Sequence, residues 1–135
     1  MLLEFKTKNY KSFVEEASFS MVAAPKQKGL DYSLMKTKIK GKEIKGLSSS
    51  VIYGPNAAGK TNIIGAMDVL RAIVLRGNIR NSEEKSSPNP AAAALELIPN
   101  NNEMESKPVC FEIEFYEEDG EDYKFKIHYE LEVDL

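Results

Sequence analysis

Hydrophobic and polar positions alternate at both ends of this chain and run together in its middle. Leu3, Phe5 and Thr7 alternate with Glu4, Lys6 and Lys8, the period of a half-buried strand. Asn9-Tyr10-Lys11-Ser12 then reads as a turn, and Phe13 to Val22 returns as a second strand. The clearest β signal comes last. Val109, Phe111, Ile113 and Phe115 alternate with Cys110, Glu112, Glu114 and Tyr116. After the polar turn Glu117 to Asp122 the alternation resumes, with Tyr123, Phe125, Ile127, Tyr129, Leu131 and Val133 on one face. Lys124, Lys126, His128, Glu130 and Glu132 take the other, so the segment predicts a hairpin with one buried and one wet face.

The middle of the chain has a different period. Ser49 to Tyr53 is a short apolar run that predicts a buried strand feeding a turn. Gly59 to Arg76 predicts a helix, apolar beyond its first turn except at Asp68 and Arg71, which lie three apart on one face. A helix apolar nearly all round must be covered by a sheet or a partner. Gly77 supplies its stop. Pro25 to Lys45, rich in Lys and Gly, reads as a mobile insertion with a short strand around Tyr32 to Ile39. Asn78 to Pro90 reads as disordered, Ala91 to Leu97 as a helical turn or short strand, and Pro99 to Lys107 as a polar connection. No internal repeat is present. The expectation is one α/β lobe over 1–135, with mobile segments at about 25–45 and 78–90.

Composition narrows the class. At 135 residues, 42% hydrophobic and 29% charged, the chain is long enough for one domain with a core. A single cysteine, Cys110, excludes a disulfide framework within the chain. With only one histidine, His128, a Cys/His zinc site is also set aside, and both facts suit a reducing cytoplasm. Met1 to Lys6 carries charge where a signal peptide would be apolar. Ile63 to Leu75 is too short to span a bilayer, so no membrane partner is expected. The net charge of −3 hides an asymmetry: residues 1–46 hold ten Lys against five acids, and residues 100–135 three Lys against twelve acids. The basic end could face a polyanion, or be a lysine-rich solvated surface.

One segment carries chemistry. Gly54-Pro55-Asn56-Ala57-Ala58-Gly59-Lys60-Thr61 matches G-x-x-x-x-G-K-[ST] without a gap, between the apolar run and the helix. Phosphate oxygens need several donors converging on one concavity, which a loop with inward-pointing amides provides. Gly54 and Gly59 permit backbone angles and close approach that a Cβ would obstruct. The helix adds the positive end of its dipole. Lys60 can set an ammonium between the β- and γ-phosphates, and Thr61 offers a hydroxyl to Mg²⁺. The expected ligands are ATP and Mg²⁺. Hydrolysis further needs an acid at the end of a second strand and a group that orients water. Asp134 is a formal option for the acid, on a strand that alternates rather than running apolar.

These residues resemble a known group. Leu2 to Phe5 through Asn9-Tyr10-Lys11-Ser12-Phe13, followed by Ile52 to Asn62, look like the N-terminal part of bacterial AAA-family, ABC-type ATPases of the SMC/RecF/OLD class, often found in phage-defence systems. The resemblance implies an ABC-ATPase head N-lobe: a P-loop NTPase fold with a mixed, largely antiparallel sheet and one P-loop helix. It implies that the opening turn approaches the nucleotide, which makes Lys11 and Ser12 candidate contacts. Asn56 is similar to the family's loop asparagine near the γ-phosphate, and also fits an ordinary turn residue. Asn62 is a further candidate contact, or simply an early helix residue. The family's glutamine loop has no counterpart, because Gln27 precedes the P-loop. Its signature, Walker B acids and switch histidine are unmatched, and His128 reads as a surface residue and Cys110 as a passive strand residue. The chain is therefore expected to be a truncated or shortened form of a longer protein.

Three functions compete. The first is the N-lobe of an ATPase head that dimerises around ATP and drives a DNA-directed or effector partner. The second is a small P-loop kinase or GTPase, disfavoured by the lack of an N-K-x-D motif and by only three Arg. The third is a non-hydrolysing module that binds nucleotide or occupies a partner's interface, since an apolar helix lacking its second lobe would leave an exposed patch.

Overall fold

Residues 1–25, 28–29, 31–39, 41–77, 97–100, 107–119 and 123–133 are described by a computed structural model of the chain. The alternating ends of the sequence form a four-stranded sheet in the order β2-β1-β5-β6. Its strands are β1 (Leu2–Lys8), β2 (Ala17–Ser20), β5 (Val109–Asp119) and β6 (Tyr123–Val133). Every pairing in it is antiparallel. The predicted first strand and C-terminal hairpin are present. The second strand is shorter than expected, because Phe13 bridges back to Tyr10 in the turn and Val22 bridges to Gly46.

Register follows the hydrophobic pattern, since a slip of one residue would turn each apolar set to the wet face. Phe5 pairs with Ile113, Thr7 with Phe111, Val109 with Val133 and Phe111 with Leu131. On the opposite face Lys6 pairs with Glu112 and bonds it at 3.1 Å. That hydrogen bond to Glu112 raises the Lys6 ammonium above its ordinary pKa.

The helix α1 (Lys60–Arg76) lies across the apolar face. Ile63, Ala66, Val69, Leu70 and Ile73 are buried at the spacing of one helical stripe, and they pack in one cluster with Phe5, Tyr10, Val109, Phe111 and Val133. Fully burying side chains of this kind contributes roughly 1.5–3 kcal/mol each. Gly77, at φ 70°, ends the helix with its N–H donated to the Ile73 carbonyl at 2.9 Å, the predicted stop. Asp68 and Arg71 are exposed, as their shared face requires. Only one stripe is covered by the sheet: Ile64, Val74 and Leu75 are exposed.

Two expectations are corrected. The buried strand at Ser49 to Tyr53 does not form, and these residues pair with no strand among those described. Val51 and Tyr53 are 82% and 90% exposed. An apolar run states what a segment would bury, and the covered stripe of α1 is already occupied by the antiparallel sheet. The parallel component of a mixed sheet is consequently absent among the described residues. Within the predicted insertion, Leu34–Ile39 is a strand, β3, close to the expected one. It pairs with β4 (Lys42–Leu47), which the sequence reading did not contain. This hairpin joins the rest through Met21 and Ala23, whose backbones bond Leu3, Lys45 and Leu47. The readings placed on 78–96 and on Asp134 lie outside the described residues.

Thr7 interrupts the apolar set of β1. It is 1% exposed and its hydroxyl has no hydrogen-bond partner among the described residues. A buried polar group left unpaired costs about 1–3 kcal/mol. Thr7→Val keeps the shape and removes that group, so it should raise the unfolding free energy by about 1 kcal/mol, measured by urea denaturation. A fall in stability would show that the hydroxyl is bonded.

Candidate functional site

The residues Gly54 to Gly59 form an exposed loop that enters α1 directly. Three of its positions have positive φ: Gly54 at 155°, Ala57 at 65° and Gly59 at 81°. Left-handed backbone at 57 closes a turn in which the Ala58 amide reaches the Pro55 carbonyl at 3.3 Å, and at 59 it turns the chain into α1. Glycine adopts this region freely, whereas a residue with a Cβ is strained by roughly 1–2 kcal/mol. Ala57 carries that strain, of the kind found at ligand clamps.

Gly59 caps α1 without any side-chain hydrogen bond. The first amides of a helix have no partner inside it, so those of Lys60 and Thr61 are left as donors at the positive end of the dipole. The Lys60 ammonium folds back on the loop and donates to the carbonyls of Gly54 at 2.8 Å and Pro55 at 2.6 Å. It pins the loop with two of its three protons and retains one for a ligand. The arrangement sets helix-end amides beside one cation, which suits an anion carrying several oxygens. Thr61 is exposed in the first turn of the helix. Asn56 is exposed at the turn of the loop.

The opening turn meets this loop. The Asn62 side chain, fifty positions from Ser12, donates to its hydroxyl at 2.7 Å. A Cβ built on Gly59 would stand 2.9 Å from that hydroxyl and 3.1–3.2 Å from the Phe13 ring. Asn62 is thus an early helix residue that also makes a specific contact. Lys11 sits one residue away, its ammonium 5.6 Å from the centroid of the Tyr10 ring. Asn9 and Lys11 are left-handed, with φ of 54° and 48°.

Several supports of this turn were not foreseen from the sequence. Asn9 donates to the carbonyls of Lys107 at 2.8 Å and Pro108 at 3.3 Å, and accepts from the Asn100 amide at 3.2 Å. The Asn100 side chain donates to the Lys11 carbonyl at 2.6 Å, and the Lys11 amide to the Ile98 carbonyl at 2.8 Å. Tyr10 is fully buried, with its ring centroid 5.9 Å from that of Phe111. The sequence signal for Tyr10 and Phe13 was the aromatic pair flanking Lys11-Ser12. Asn100 had none, being one polar residue in a polar run. Among the described residues no cluster of three His, Cys, Asp or Glu could hold a metal ion. Cys110 is half-buried in β5, and the side chain of His128 is not among those described.

The backbone predicts opposite outcomes at two loop positions. Gly59→Ala adds left-handed strain and a collision with Ser12 and Phe13, and should destabilise the chain by about 2–3 kcal/mol. Ala57→Gly relieves strain and should stabilise by up to about 1 kcal/mol. Thermal unfolding of both variants checks the signs. Equal effects would refute the left-handed assignment at residue 57.

No curated protein and no solved structure matches this chain. A family model does, over residues 49–134, which is more than half of the sequence and includes the whole loop and α1. That family is described as "AAA domain, putative AbiEii toxin, Type IV TA system", and its match joins the phosphate-type loop to the β5–β6 hairpin in one unit. With that loop, its pinned lysine and its uncapped helix end, the chain belongs to this family of AAA-type P-loop domains.

Proposed function

We propose that the chain binds ATP with Mg²⁺ as the N-terminal lobe of an ABC-type ATPase head of the SMC/RecF/OLD class. In that reading hydrolysis follows dimerisation of complete heads and drives a DNA-directed or defence effector in the cytoplasm. The observation that carries it is the conformation of Gly54 to Thr61, whose helix-end amides at Lys60 and Thr61 and Lys60 ammonium suit a triphosphate. The loop amides and those of Lys60 and Thr61 bind the phosphate oxygens, and Lys60 shares its third proton with them. The Thr61 hydroxyl would hold Mg²⁺, which neutralises charge developing on the phosphates. Asn56 is placed on the loop, where it would orient water toward the γ-phosphate. Ser12 and Asn62 lie beside Gly59, at the edge of the proposed site.

A second reading, a nucleotide-binding module that does not hydrolyse, draws on the apolar residues left exposed ahead of the loop and along α1. Val51, Tyr53, Ile64, Val74 and Leu75 face solvent. The two readings share the binding step and differ after it.

Titration of the chain with fluorescent ATP and Mg²⁺ tests that step, beside Lys60→Ala and with GTP as competitor. Saturable binding that prefers ATP and falls at least tenfold in Lys60→Ala is expected, since a hydrogen bond to a charged group contributes about 1.5–3 kcal/mol. A folded chain that binds no nucleotide would overturn the reading. Phosphate release by the chain then separates the hydrolysing form from the module.

A further inference from the structure

The Asn9–Phe13 turn touches two parts of the molecule that are otherwise apart. On one side Ser12 accepts from Asn62 at 2.7 Å, and Ser12 and Phe13 fill the space that a side chain on Gly59 would need. On the other side the turn is bonded to residues 98–100 by three hydrogen bonds: Lys11 N–H to Ile98, Asn100 side chain to Lys11, and Asn100 N–H to Asn9. Both Asn9 and Lys11 are left-handed. For lysine that conformation costs about 1–3 kcal/mol and persists only where its surroundings over-determine it. The turn closes on itself through the Tyr10 and Phe13 backbones, at 3.0 and 2.8 Å, and is held further by the contacts on both sides.

We propose that Ser12 and Asn62 are positioning residues that couple occupancy of the phosphate loop to the residues 97–100, through this turn. The inference rests on the nucleotide-binding reading above. Gly59 is both a member of the loop and the helix cap, so phosphate bound at the loop fixes the backbone against which Ser12 and Phe13 rest. Asn62, one residue after Thr61, then holds the Ser12 hydroxyl in place. The strained turn is thereby stabilised, and with it the bonds from Lys11 to Ile98 and Asn100. Reciprocally, a turn already held in place presents Gly59 in its binding conformation, so the coupling raises affinity for the ligand. Residues 97–100 precede β5, and the same turn reaches Lys107 and Pro108 at the start of that strand through Asn9. A nucleotide-dependent change at the loop thus has a contiguous hydrogen-bonded route to the hairpin's base.

The test is a double-mutant cycle on the 135-residue chain, with Mg·ATP affinity and amide hydrogen exchange as readouts. Ser12→Ala and Asn62→Ala should each weaken binding about fivefold, the worth of one ordinary hydrogen bond. The double variant should be no weaker than either single one, because the same bond is lost in all three. Ser12→Thr retains the hydroxyl and should bind within about twofold of the parent. In the parent, Mg·ATP should slow exchange at Lys11 and Asn100 at least threefold, and the Ala variants should lose that protection. Additive losses would overturn the proposal and make Ser12 a direct ligand instead. So would an unchanged exchange rate at Asn100 in a parent chain that binds ATP. A parent that binds no ATP would fail the nucleotide reading itself, and is distinguished by the absence of saturation before any variant is compared.

Discussion

Gly59 carries a left-handed φ of 81° and lies where Ser12 and Phe13 leave no room for a side chain. Three requirements converge on it. The loop needs the left-handed angle to turn into α1. The helix needs an entry whose first amides are unblocked. The opening turn needs a flat backbone surface on which to rest. A residue with a Cβ would meet none of these without displacing something, because the nearest atoms are a hydroxyl at 2.9 Å and the edge of a packed ring. The anion-binding geometry and the attachment of the N-terminus to the helix are therefore one constraint. This gives a physical reason for finding Asn9–Phe13 and Gly54–Thr61 together although more than forty residues separate them.

The parts of the fold legible in the sequence are those fixed by local periodicity. β1 and the β5–β6 hairpin were readable because a period of 2 records the face each buries, and α1 because a long apolar run follows the glycine-lysine loop and stops at Gly77. The loop was readable because Gly54, Gly59 and Lys60 each meet a separate backbone or charge requirement. What was not readable depends on tertiary context. Val51 to Tyr53 have the composition of a buried strand, yet composition does not say which neighbours are at hand, and the segment remains exposed. β4 was missed because its two apolar residues, Ile44 and Leu47, are three apart and fall on opposite faces, so no alternation marks it. Asn9 and Asn100 act through backbone carbonyls, a role that leaves no pattern in sequence.

The helix illustrates how one element can be both satisfied and incomplete. Its buried stripe meets the sheet, its C-terminus is closed by Gly77, and its N-terminus is held by Ser12 through Asn62. The remaining side still presents Ile64, Val74 and Leu75 to solvent, and Val51 and Tyr53 ahead of the loop are exposed as well. Singly exposed apolar residues are ordinary, and these mark what the sheet does not cover. Among the described residues no helix is long and apolar enough to cross a membrane.

Charge, which first suggested a polyanionic partner, is partly used within the chain. Lys6 of the basic segment lies opposite Glu112 of the acidic one and bonds it at 3.1 Å. Lys36 and Lys45 face each other across β3 and β4, where like charges repel, and each takes an acid: Asp31 at 2.6 Å and Glu43 at 3.2 Å. The bond from Lys36 lowers the Asp31 carboxyl below its usual range and raises Lys36 above its own. Exposed pairs of this kind add little stability. Their effect is to answer positive charge locally, so the lysines already paired cannot be counted toward a nucleic-acid surface at full strength. A contact with DNA would have to draw on the remaining lysines, such as Lys38 and Lys42 on the hairpin, or else disrupt these pairs. Between β1 and β5 the asymmetry supplies one complementary pair, Lys6 with Glu112, whereas Glu4 lies opposite Glu114, and only the charge left after such pairing is available to a partner.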